Sequence, residues 1–425
     1  STTMVSTWPR RGRGMGFAGW MSMGLWPCIW VAYQGGAPGC GANSGMMIRI
    51  LVVIVQQASF PISVSRGRTG RWCVAAVLLA CGLPLLAGCA GSTPDPVPPA
   101  RYAAAARLVP PDRVLRLRDG AAIPARLWPA RGRERAVVLA LHGFNDSRDA
   151  WEYSAPVLAE QGVTLVAPDI RGFGGAPMRG AWPGLPLLLA DTREEVALIG
   201  REHPGVPLYL MGESMGGAVL MLLMSTPNAP DVAGTILLAP AVWNLGAGAD
   251  IPLDILATFF PHSLVSGREL PVHVVASDNP AALIRLYYNP LTLRQTRLEA
   301  LRGLVGLMRK AARAAPYLHG PVLCLYGDQD QLVPPQAMAR VWQTAPRQTR
   351  LDLVTGGHHL LLRDLRGALA LRDIAVWISQ PERFLPSGGD VASAVWLAQG
   401  GGMSGPAGYG PAWFLPARLD GVVPP

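Results

Sequence analysis

Leu208-Tyr209-Leu210-Met211-Gly212-Glu213-Ser214-Met215-Gly216 leads from one apolar run into a longer one, Met215 to Met224. The first run has the length of a buried strand and the second that of a buried helix. Between them stands Gly-x-Ser-x-Gly. A strand that turns sharply into a helix through this pattern pushes its serine out of the turn. The helix that follows points its amide donors at any anion forming there. Ser214 is therefore the candidate nucleophile.

On an elbow of this kind the partners follow in the order serine, acid, histidine. Both lie downstream. Pro321-Val322-Leu323-Cys324-Leu325-Tyr326 reads as a buried strand and ends in the polar loop Gly327-Asp328-Gln329-Asp330-Gln331-Leu332-Val333-Pro334. Arg350-Leu351-Asp352-Leu353-Val354 reads as another strand and runs into Gly356-Gly357-His358-His359. Loops that follow neighbouring strands of a parallel sheet share its carboxyl edge, where ligands bind. A serine hydroxyl needs a base, an imidazole serves near neutral pH, and a buried carboxylate orients that ring. Spacing alone leaves two pairs open, Asp328 or Asp330 and His358 or His359.

The anion formed during acyl transfer needs two donors. One is the backbone N–H of Met215, next to the nucleophile. The other comes from the loop after the third strand. That strand is Ala136-Val137-Val138-Leu139-Ala140-Leu141, followed by His142-Gly143-Phe144, so the second donor is assigned to the N–H of Phe144.

These motifs resemble the α/β-hydrolase superfamily. Within it, the similarity is greatest to the monoacylglycerol lipase and lysophospholipase group, which is grouped with serine aminopeptidase-like (S33) hydrolases. The matching residues are His142-Gly143-Phe144, Asp169-Ile170-Arg171-Gly172-Phe173-Gly174, Gly212 to Gly217, Gly327 to Val333 and Gly357-His358-His359. The resemblance spans about residues 112–380. It implies an α/β fold: a mostly parallel central sheet flanked by helices, with a helical cap inserted after the sixth strand. It also selects Asp330, three residues after the strand-ending glycine, and His359, two after a glycine. Asp169 and Arg171 belong to a structural turn in that family. The implied chemistry is ester hydrolysis without metal or cofactor.

Composition removes other classes. The formal charge is +9, but residues 1–88 hold seven arginines and no acid. The balance left on the rest is too small to argue for nucleic acid. Five of six cysteines precede residue 90, so no disulfide framework is implied for the domain; Cys324 is expected to pack as a small apolar residue.

Arg66-Gly67-Arg68-Thr69-Gly70-Arg71, an apolar run from Cys73 to Leu86, and Leu86-Ala87-Gly88-Cys89 have the layout of a secretory signal. The ending resembles the bacterial lipobox, with Cys89 as the lipidated residue. The expectation is a membrane-anchored lipoprotein of the cell envelope, facing the periplasm or held in the outer membrane. Residues 64–89 are then the signal. Residues 1–63, Gly-, Trp- and Met-rich without acids, are expected to reflect a misplaced start. Residues 90–111 are read as a tether and 381–425, rich in Gly and Pro, as a disordered tail.

Residues of about 243–315 form the expected cap. Leu298, Leu301, Val305 and Met308 share one helical face. The cap carries eight basic and five acidic residues. An aminopeptidase needs carboxylates for the substrate's free amine, whereas an apolar, mildly basic cap suits an acyl ester. The cap thus favours an acyl ester over a peptide, and the family resemblance implies monoacylglycerol or lysophospholipid esters as substrates. An S33-like aminopeptidase and a non-catalytic lipid-binding protein on the same fold are the alternatives.

Overall fold

The computed structural model describes residues 96–243, 248, 250–266 and 274–401. Cys89, the signal segment, the leader and residues 402–425 lie outside them.

Eight strands form one sheet: β1 (Arg113–Arg116), β2 (Ala122–Trp128), β3 (Ala136–Leu141), β4 (Val163–Pro168), β5 (Leu208–Glu213), β6 (Gly234–Leu238), β9 (Val322–Gly327) and β10 (Arg350–Val354). Their order is β1-β2-β4-β3-β5-β6-β9-β10. β2 pairs antiparallel with β1 and β4, and every other neighbouring pair is parallel. The central strands are apolar throughout because both faces are covered. Side chains alternate across the sheet. Val137, Leu139 and Leu141 of β3 enter one core, while Ala136, Val138 and Ala140 enter the other. β9 divides likewise, Cys324 and Tyr326 to one side, Leu323 and Leu325 to the other.

The first core is closed by α2 (Leu185–Glu202), α3 (Met215–Met224) and α7 (Pro335–Thr344). The second is closed by α1 (Ala155–Glu160) and α8 (Gly367–Ser379), whose Trp377 packs on Tyr209 at 5.8 Å between ring centroids. Of the ten residues of α3 only Leu222 is not fully buried, which explains its lack of any polar stripe. Cys324 packs as an apolar residue; its sulfur accepts from the Trp342 indole N–H at 3.2 Å, and burial pushes its thiol pKa up to about 12.

The cap follows β6. It contains α4 (Ile251–Phe259), α5 (Pro280–Tyr288), α6 (Leu298–Ala314) and a two-stranded antiparallel ribbon of β7 (Leu264–Ser266) and β8 (Gln295–Arg297). The expected stripe on α6 divides between two partners. Leu298, Leu301 and Val305 meet Leu253 and Ala257 of α4 in a small core of the cap's own. Met308 joins Leu304, Leu307 and Ala311 in the main core. α6 therefore fixes the cap to the body of the domain.

Two boundaries differ from the sequence reading. Ala100–Ala106, within the expected tether, is a 3-10 helix, and Tyr102 stacks on Tyr288 of α5 at 5.9 Å. Gly389–Ala398, within the expected tail, is helix α9. Its Trp396 lies 5.3 Å from Trp342 and 5.8 Å from Tyr326, and Asp390 pairs with Arg350 at 3.0 Å. The Gly- and Pro-rich flanks obscure an i, i+4 apolar pair, Ala392 and Trp396, that covers the edge strand β10. The folded domain thus reaches residue 401.

Candidate active site

The elbow joins β5 to α3. Ser214 sits at φ 52° and ψ −112°, a conformation that non-glycine residues rarely adopt. The neighbouring strand holds it there. The Ser214 N–H donates to the Leu238 carbonyl at 2.9 Å, and the Ser214 carbonyl accepts from Ala218 and Ala241 at 3.0 and 2.9 Å. A side chain at Gly216 would come 2.2 Å from the Leu141 carbonyl oxygen, so the turn tolerates only glycine there. Ser214 is buried, and its Oγ has no hydrogen-bond partner among the described residues. Strain of this kind, maintained by surrounding bonds, is characteristic of functional positions.

β9 and β10 end level with each other, Gly327 opposite Val354. The loops that follow are laced together: the Gln329 N–H donates to the Gly357 carbonyl at 2.9 Å, and a Cβ at Gly327 would come 2.1 Å from that same oxygen. This contact brings acid and histidine together. Asp330 Oδ2 lies 2.8 Å from His359 Nδ1, with both side chains buried. Asp330 Oδ1 accepts from the N–H groups of Leu332 and Val333 at 2.7 and 3.0 Å. Burial by itself would lower the His359 pKa. The charge and hydrogen bond of Asp330, with the charge of Glu213, override it and hold the pKa above the usual value.

The other member of each pair has a different place. Asp328 is exposed and its Oδ1 accepts from the Gly356 N–H at 2.8 Å, a turn-stabilising bond. His358 pairs with Asp364 at 3.4 Å.

The loop after β3 lies over the elbow. A Cβ at Gly143 would be 3.5 Å from Ser214 Cβ. The N–H groups of Phe144 and Met215 meet no acceptor among the described residues. The Phe144 ring packs on Phe173 at 5.3 Å, which fixes the loop's height. His142 has a structural place: Nδ1 is 2.7 Å from the Gly143 carbonyl, Nε2 accepts from the Ile170 N–H at 2.9 Å, and burial lowers its pKa. Those two bonds fit only a neutral ring.

Asp169 and Arg171 take structural places as well. Asp169 Oδ1 accepts from the Arg148 N–H at 2.7 Å and Oδ2 from the Gly175 N–H at 2.7 Å; Arg171 grips Asp191 at 2.7 and 2.9 Å.

Sequence reading passes over a buried ionic cluster beside these groups. Asp146, Glu213 and Arg363 meet there, and Asp149 is held nearby by Arg126, Arg285 and Asn289. An acidic residue before the serine and an arginine in the apolar run after the histidine are the only local hints.

Comparison with known proteins agrees with this architecture. Human monoglyceride lipase is 24% identical over 269 residues, covering 62% of this chain and 88% of its own. Monoacylglycerol lipase of Mycolicibacterium smegmatis is 25% identical over 267 residues, covering 61% of this chain and 93% of its own. Among solved structures, a soluble variant of the Saccharomyces cerevisiae monoglyceride lipase superposes with a TM-score of 0.55 at 18% identity, covering 68% of this chain and 99% of that one. A carboxyl esterase from Bacillus coagulans gives 0.54 at 18%, covering 63% and 96%. These two likenesses establish the α/β-hydrolase fold. Residues 132–366, more than half of the chain, match the family Hydrolase_4, serine aminopeptidase, S33, and the chain belongs to that family of hydrolases.

Proposed function

We propose that this protein is a serine hydrolase that cleaves carboxylic esters, with monoacylglycerols or lysophospholipids as its substrates. The observations that carry the reading are the strained elbow at Ser214 and the buried His359–Asp330 pair, which follow parallel strands of one sheet and so share its carboxyl edge.

The mechanism follows from the roles these groups can play. Ser214 Oγ attacks the ester carbonyl carbon as His359 Nε2 takes its proton. Asp330, bonded to Nδ1, stabilises the resulting imidazolium. The N–H groups of Phe144 and Met215 hold the oxyanion. Collapse expels the alcohol, which leaves with the proton from His359. Water then attacks the acyl-enzyme with His359 again as base, releasing the carboxylic acid and restoring Ser214.

The charges around the site favour an ester over a peptide amine. Asp146 and Glu213 are engaged by Arg363, Asp149 by Arg126 and Arg285, and Glu152 by Arg285. Carboxylates already neutralised by arginine are poor anchors for a substrate ammonium group. The relatives named as monoglyceride lipases support an acylglycerol. Attachment to the cell envelope through a lipidated Cys89 belongs to the same reading, since it would hold the enzyme at its substrate's surface.

The test is a fluorophosphonate probe on the full chain, then turnover of p-nitrophenyl esters of increasing chain length, monoacylglycerols, lysophospholipids and aminoacyl amides. Labelling at Ser214 with preference for medium or long acyl chains is expected. Faster cleavage of aminoacyl amides would replace the ester reading with the peptidase. A folded protein that neither labels nor turns over would leave lipid binding without catalysis.

A further inference from the structure

Of the four chain segments that build the candidate site, one buried cation belongs to the His359 segment and touches two others, the elbow of Ser214 and the loop of Phe144. Arg363 ends a single 3-10 turn, Leu361–Arg363, that starts two residues after His359. Its Nη2 donates to Glu213 Oε1 at 2.6 Å and to Asp146 Oδ2 at 2.5 Å. Glu213 directly precedes Ser214. Asp146 lies two residues beyond Phe144, and its Oδ1 accepts from the Ser147 N–H at 2.8 Å, so that carboxylate is itself oriented. Arg363, Glu213 and Asp146 are 5%, 1% and 5% exposed. A Cβ on Gly143 would be 3.6 Å from Glu213 Oε1, which places the cluster against the loop over the elbow.

We propose that Arg363 is a positioning residue: through Glu213 and Asp146 its guanidinium holds the elbow of Ser214, the loop of Phe144 and the loop of His359 in one catalytic register. The inference rests on the reading of those three as nucleophile, oxyanion donor and base.

Two considerations distinguish this from an ordinary ion pair. Taking charges out of water is expensive, and a buried pair gives little net stability over apolar packing. Here the three charges stand where misplacement is most damaging, since an error of about 1 Å in the reacting groups can cost about 10²-fold in rate. The electrostatics run the same way. Burial raises the Glu213 pKa while the charge of Arg363 opposes that rise, and the charge of Glu213 in turn supports the basicity of His359. The groups facing His359 are Asp330, Glu213 and Arg363, and those facing Glu213 are Arg363, Asp146 and His359.

Arg363→Lys keeps the charge, but its ammonium sits on a shorter, flexible stem and loses the rigid plane that aims Nη2 at both carboxylates. The rate of fluorophosphonate labelling at Ser214 depends on nucleophile, base and oxyanion donors together, so it reads the register without any choice of ester. In the folded Lys variant that rate and kcat are expected to fall about tenfold to 10²-fold with KM nearly unchanged. Glu213→Gln is expected to move the acid limb of the labelling rate to lower pH. Should Arg363→Lys not fold, Asp146→Asn carries the test, with the same loss in rate. A folded variant that labels as fast as the wild type, with the same pH profile, would overturn the inference. A wild-type protein that does not label at Ser214 would instead overturn the functional reading, and the role of Arg363 with it.

Discussion

Asp330 and His359 meet at 2.8 Å although 29 residues separate them, and both are withdrawn from solvent. The contact commits Nδ1 of the ring to the carboxylate. In the proposed mechanism, proton traffic with Ser214 then runs through Nε2. Replacing Asp330 by Asn keeps the shape but allows the amide to favour the wrong tautomer. The expected result is a kcat lower by about 10⁴-fold at neutral pH with little change in KM. Steady-state kinetics on a p-nitrophenyl ester measures it, and a loss below tenfold would remove Asp330 as the orienting acid.

The same pair sets the pH dependence. As the proposed base, His359 works only when neutral, and its pKa is held above the usual histidine value by Asp330 and Glu213. Activity is therefore expected to fall as pH drops through a midpoint above about 6.5. The stability contribution of the pair has the opposite sense. A group with a raised folded pKa stabilises most below its unfolded pKa, and this is lost as pH rises through the folded one. A kcat/KM profile centred below the ordinary histidine range would contradict the assignment.

Ser214 stores strain at φ 52° and ψ −112°. Alanine there keeps the strain, whereas glycine relieves it. Relief of about 1–3 kcal/mol outweighs the entropic cost of glycine, about 0.5–1 kcal/mol. Ser214→Gly is expected to be more stable than Ser214→Ala by about 1 kcal/mol, with neither turning over substrate. Denaturant melts of the two variants decide it; equal midpoints would mean the elbow carries no strain.

Asp352 of β10 faces α9 with Asp373 and Asp390 nearby. Burial and then the Asp373 charge push its pKa up to about 8. Its unfolded value is near 3.9. Between the two the folded state holds a proton that the unfolded state releases, so this group's contribution to stability falls as pH rises from about 4 to about 8. Asp352→Asn is expected to raise Tm at pH 8 and flatten the dependence over that window. A thermal melt series that is unchanged by the substitution would sink this account.

Much of this architecture was legible in local sequence. β3 and β10 have the predicted bounds, β5 and β9 differ by a residue or two at their ends, and the elbow stands where its glycines put it. Local signals suffice there because a central parallel strand is apolar along its whole length and a sharp turn needs glycine in a short space. The 3-10 helix at Ala100–Ala106 and α9 were not legible, because each is held by a distant partner, Tyr288 in one case and Trp342 in the other. Arg363 was passed over for the same reason: its partners lie 150 and 217 residues away.

The sequence by itself determined the strand–turn–helix around Ser214 and the order serine, acid, histidine, and, through its likeness to a family, singled out Asp330 and His359 as the candidate acid and base. These depend on hydrophobic period and on glycine, both properties of a few adjacent residues. Only the tertiary structure decided that Asp328 closes a turn while Asp330 is buried against His359, that α6 belongs to two cores, and that one arginine joins three loops. Burial and pairing of charges depend on what the folded chain places around them, and no window of sequence contains that.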